Sequence, residues 1–160
     1  MPRLVASLGV ILCGIAHGSG QDLASGTLSP ALRDHLKNER FAIVTSVRGL
    51  PLGVRDGLQE LFGSSKLDIA DPGAEWQSGA GANSLLPTRR LAAAGCSTDH
   101  HCLVFYERGP SRSWHVALFH WSPEATRFEW GGVAAGGLTT IEAVHSAVLS
   151  GKIKTASGGW

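Results

Sequence analysis

Three runs of β-forming residues stand close together in the second half of the chain, and they limit the possible folds more than any other feature. Leu103 to Arg108, Ser113 to Trp121 and Arg127 to Trp130 are rich in Val, Phe, Tyr and Trp, and only the turn sequences Gly109-Pro110-Ser111 and Ser122-Pro123-Glu124 separate them. Connections this short join antiparallel neighbours, because a parallel pair needs a crossover of about a dozen residues or more. A three-strand meander over 103–130 is therefore expected. In its middle run His115, Ala117, Phe119 and Trp121 share one side and Trp114, Val116, Leu118 and His120 the other. Both sides are largely apolar, so this strand is expected to be central and covered on both faces.

The flanking sequence adds helices. Ser29-Pro30 is a strong start, a serine N-cap followed by proline at the first helical position, and Leu32 and Leu36 continue one stripe to about Glu39. Phe41, Ile43, Thr45 and Val47 then alternate with Ala42, Val44 and Ser46, which is a strand period. Val54, Leu58, Leu61 and Phe62 return to helical spacing, closed by Gly63 and weakened at Gly57. From Ser64 to Ala94 the periodicity fades: Asp71-Pro72-Gly73 reads as a turn and residues 79–84 as a glycine-rich loop. Gly131-Gly132 and Gly136-Gly137 read as a linker. A last helix opens at Thr139-Thr140-Ile141-Glu142 as a capping box, buries Ile141, Val144 and Val148, and stops at Gly151. Its length of 160 residues suits one domain. The expectation is an α+β domain, an antiparallel sheet of about four strands packed against two or three helices.

The N-terminus predicts export. Arg3 precedes twelve apolar positions from Leu4 to Ile15, and Ala16-His17-Gly18 meets the small-x-small cleavage rule. Residues 1–20 are read as a secretory signal peptide, with a mature domain over 21–160 starting near Ser19 or Gln21. The apolar run is shorter than the roughly 20 residues of a membrane span, and no second stretch reaches that length, so no span is expected after signal removal. Export to a periplasmic or extracellular space gives the cysteines their meaning. Cys13 leaves with the signal, and Cys96 and Cys102 remain as an even pair where disulfides persist. A formal net charge of +1 leaves no basic footprint for phosphate, so nucleic acid is not an expected partner.

Several residues carry possible chemistry. Cys96-Ser-Thr-Asp99-His100-His101-Cys102 invites a metal reading through His100 and His101, but the expected disulfide removes both thiols and neighbours on a strand point apart, so neither metal nor cofactor is expected. His115 is the candidate general base, with Glu107 or Glu129 as its carboxylate partner. The segment Leu103-Val-Phe-Tyr106, a turn, then His115-Val-Ala-Leu-Phe119 resembles the part of NlpC/P60 cell-wall peptidases in which a strand precedes the catalytic histidine. The resemblance spans fewer than thirty residues and implies a papain-like cysteine peptidase acting on peptidoglycan. This chain lacks that family's Asp-Cys-Ser-Gly helix start, and Cys96 is followed by Ser97-Thr98-Asp99. Trp114, Trp121 and Trp130, with His120, are candidate ligand-binding residues, since aromatic side chains give large rigid contacts. The expected function is a small exported, non-catalytic protein that binds another exported protein or a cell-wall component. The alternative is an envelope-directed hydrolase or peptidase using His115 with Glu107 or Glu129, or a cysteine.

Overall fold

The meander is the middle of a larger sheet. A computed structural model describes residues 27–79, 85–98, 100–109, 111–156 and 158–160. The expected signal peptide and its cleavage positions, most of the loop at 79–84, and Asp99 and Pro110 lie outside the described residues. In chain order the elements are α1 (Pro30–Leu36), β1 (Phe41–Val44), α2 (Leu52–Leu61), β2 (Arg89–Ser97), β3 (His101–Arg108), β4 (Ser113–Trp121), β5 (Thr126–Ala134), α3 (Ile141–Leu149) and β6 (Lys154–Thr155). All six strands lie in one sheet in the order β1-β2-β3-β4-β5-β6, each antiparallel to its neighbour. The domain is α+β, and its sheet has six strands where about four were expected.

The added strands have a common physical origin. β2 was invisible because Ala92, Ala93, Ala94 and Gly95 carry almost no side-chain alternation. Gly95 is small for a reason: a Cβ there would stand 2.7 Å from Ile141 Cγ1 and 3.0 Å from Phe41 Cβ. β5 runs through Gly131-Gly132, which are strand residues and not a linker. A Cβ on Gly132 would meet Ile153 Cγ2 at 2.6 Å and the Lys154 carbonyl oxygen at 2.5 Å, so β6 can dock only against glycine.

Helices cover both faces. Val54, Leu58 and Leu61 of α2 pack with Val104, Tyr106, Ala117 and Phe119 on one face. Leu36 of α1 and Ile141, Val144 and Val148 of α3 pack with Leu103, Phe105, Val116 and Leu118 on the other. β4 is central and doubly covered, as its two apolar sides predict. Local signals hold with small shifts. Ser29 Oγ accepts from Leu32 N to start α1, and Gly63 and Gly151 take positive φ values of 61° and 70° after α2 and α3. The cap of α3 is Thr140, accepting from Ala143 N, one residue later than the expected capping box.

One irregularity positions the candidate site. The β4–β5 register steps from Leu118↔Trp130 to Phe119↔Phe128, leaving Glu129 as the extra residue of a β-bulge. A bulge breaks strict alternation and re-aims a side chain. Here it lets Glu129 turn toward His101 while Trp130 stays in the core beside α3.

Candidate functional site

The site is built around His101 at the start of β3. β2 ends at Ser97 and β3 begins at His101, and His100 just before it is in the left-handed region at φ 69°. Cys96 and Cys102 face each other across this hairpin and form a disulfide, as expected. The bridge fixes the two residues next to it, Ser97 and His101. Glu39, from the turn between α1 and β1, reaches over them and is almost wholly buried, as are Ser97 and His101.

Both nitrogens of His101 meet carboxylates. Nδ1 lies 2.6 Å from Glu39 Oε1, and Nε2 lies 3.2 Å from Glu129 Oε2. Ser97 Oγ donates to Glu39 Oε2 at 2.5 Å and itself accepts from the His101 backbone N–H at 3.1 Å. Arg127 holds the other oxygen of Glu129 from Nε at 3.0 Å and Nη2 at 2.7 Å. His35, one turn before Glu39, places Nε2 3.1 Å from Glu39 Oε1. The rings of His35 and His120 meet the His101 ring edge-on at centroid distances of 5.3 and 5.2 Å.

Charge follows from this geometry. Burial opposes protonation of His101, but the hydrogen bond to Glu129 and the charge and hydrogen bond of Glu39 outweigh it and raise its pKa. Burial also pushes Glu129 up, and the hydrogen bonds from His101 and Arg127 reverse this and hold it down at about 2. His120 is shifted down, first by burial and then by the nearby Arg127, His101 and His100, against the pull of Glu129. A carboxylate at each ring nitrogen favours the protonated form of His101, in which both N–H groups are committed. The ring bridges β3 to β5 through Glu129 and to the α1–β1 turn through Glu39.

No family model, curated protein or solved structure matches this chain.

The residues singled out from sequence scatter over the sheet. Glu107 pairs with Arg90 at 2.8 Å, six positions along β3 from His101, a distance of about 20 Å at strand rise. His115 pairs across to Tyr106, stacks on its ring at 5.4 Å, and hydrogen-bonds Ser113 Oγ through Nε2 at 2.8 Å. Glu107 stands on the opposite side of the sheet from Tyr106 and His115, and Glu129 lies at the far end. The structure does not bring His115 together with either glutamate. Burial, then the Arg108 and Arg89 guanidiniums, hold the His115 pKa down at about 4. Cys96 is half of the disulfide and has no thiol to offer as a nucleophile.

The tryptophans do not form a platform either. Trp130 is buried in the core, Trp114 stacks on Phe105 at 5.2 Å, and half-buried Trp121 meets His100 at the other end of β4. His100 is exposed, and His120 and His101 lie side by side. Sequence reasoning singled out His101 and Glu129 but missed Glu39 and His35. Glu39 lies in the turn past the end of α1, where no helical or strand period links it to His35 or to the hairpin, so its role carries no sequence signal.

A second feature is apolar. β1 is an edge strand, and among the described residues nothing pairs with its outer side. Beside it a cleft of about 340 Å³ is lined by Ile43, Val44, Pro72, Ala92, Ala93 and Ile141, together with Glu142. Ile43 is 67% exposed.

Proposed function

We propose that the protein is an exported, non-catalytic binding protein that takes up an extended apolar segment of another exported protein along β1. The observation that carries this reading is the cleft beside the open β1 edge. An unpaired strand offers a row of backbone N–H and C=O groups, and an added strand satisfies them while neighbouring pockets select alternate side chains. Ile43, Val44 and the alanines of β2 supply such an apolar lining, and the small side chains at 92–94 are what leave room for it. Its one ionisable lining residue is Glu142, so the rest of the lining suits apolar side chains.

A phage-displayed library of linear peptides, selected against the mature domain, tests this reading. The expected winners alternate apolar and polar residues, and their binding is lost in Ile43→Lys, which puts a charge in the cleft. Winners that bind wild type and Ile43→Lys equally, or no enrichment at all, overturn it.

A further inference from the structure

The strongest unassigned chemistry lies where α1 meets the hairpin. We propose that His35, Glu39 and His101 form a binding site for one divalent transition-metal ion of the zinc type. The site is separate from the β1 cleft and does not depend on the peptide reading.

Three donor atoms converge there. One ligand atom from each of His35, Glu39 and His101 lies within 4.8 Å of the other two, and Glu39 Oε1 stands 3.1 Å from His35 Nε2 and 2.6 Å from His101 Nδ1. Zinc bonds of about 2.0–2.1 Å to nitrogen and oxygen place tetrahedral ligands roughly 3.3 Å apart. Seating an ion therefore requires the closer pair to open by less than about 1 Å. The ion replaces the proton on His101 Nδ1, which passes to solvent. Two imidazoles and one carboxylate suit zinc and its neighbours, whereas magnesium and calcium prefer oxygen alone. His35 is exposed, so water completes the coordination from the solvent side.

The surroundings are those of a metal ligand set. A ligating histidine usually donates its other ring N–H to a carboxylate, and a ligating carboxylate is itself hydrogen-bonded. His101 Nε2 faces Glu129, which Arg127 fixes in place, and the second oxygen of Glu39 takes the Ser97 hydroxyl. A rival trio, His101, His120 and Glu129, also lies within 4.8 Å. It would seat the ion beside the Arg127 guanidinium, 2.7 Å from the other Glu129 oxygen, and that fixed positive charge disfavours a cation. Glu129 is thus the residue that orients His101, and Glu39 the one that binds.

The test uses the untagged mature chain, freed of metal by a chelator and titrated with zinc chloride in competition with a chromophoric chelator. One equivalent is expected to bind. His35→Ala removes an exposed ligand without touching the core and is expected to weaken binding by roughly 100-fold, with the far-ultraviolet circular dichroism unchanged. His120→Ala is expected to leave affinity within about threefold. Absence of stoichiometric binding by the wild type overturns the proposal. So does binding that survives in His35→Ala and disappears in His120→Ala, which would move the ion to the rival trio.

Discussion

His115 shows how burial converts a candidate catalytic residue into a pH-dependent structural one. Its imidazole is 3% exposed, its Nδ1 has no hydrogen-bond partner, and its pKa is held at about 4 by burial and then by Arg108 and Arg89. The unfolded chain titrates near 6.5, so between pH 6.5 and 4 the unfolded state binds a proton that the native state refuses. Stability from this residue is complete above about pH 6.5 and is lost as pH falls toward 4, by at most about 3 kcal/mol. Glu129 loses its own contribution only below about 4.5, so the two windows separate. His115→Gln keeps a hydrogen-bonding side chain beside Ser113 and removes the titration. Urea melts of this variant are expected to show a midpoint that declines less steeply from pH 6.5 to 4.5 than that of the wild type, the remainder coming from the lowered pKa of His120, and an unchanged slope would refute the assignment. At this scale the sequence was readable for residues in dense polar runs, such as His101, and silent for Glu39. A lone glutamate after a helix shows nothing of the hairpin that folds over it.

Among the elements, α2 makes the sharpest contrast between propensity and packing. Gly57 reads from sequence as a weakness, because glycine in a helix costs roughly 1 kcal/mol relative to alanine. In the structure a Cβ on Gly57 would stand 2.8 Å from Cε1 of Phe119, a ring with no exposed surface. The glycine lets α2 lie against β4. Gly57→Ala is expected to gain about 1 kcal/mol of helix propensity and lose roughly 1–3 kcal/mol to overpacking, a net destabilisation of about 1 kcal/mol. A chemical melt reads the difference directly, and a stabilised variant would mean that α2 shifts outward freely. The same close approaches explain which elements sequence could show. α1, α2, α3 and the meander carry large side chains at regular spacing and were legible. β2 and the second half of β5 are built from alanine and glycine because helices, Trp160 and β6 press on them, and small residues leave no period to read.

For the whole molecule, the question is what holds the fold, and the arrangement of layers answers it. The sheet is covered by α2 on one face and by α1 and α3 on the other, so most of its apolar side chains are buried without help from the disulfide. The Cys96–Cys102 bridge spans only six positions and closes a hairpin already paired in register. Loop-closure entropy for so short a ring amounts to about 2 kcal/mol, a fraction of what a domain of this size gains from its core. Reduction is therefore expected to lower the melting temperature by about 5 °C and to leave a cooperative transition, seen by circular dichroism with and without a reductant. The local effect is larger than the global one. Ser97 and His101 flank the bridge and carry the bonds to Glu39 and Glu129, so a loosened hairpin should blur the His101 ring signals in NMR spectra before the core signals change. Complete unfolding on reduction would reverse this ranking and make the bridge the keystone of the fold.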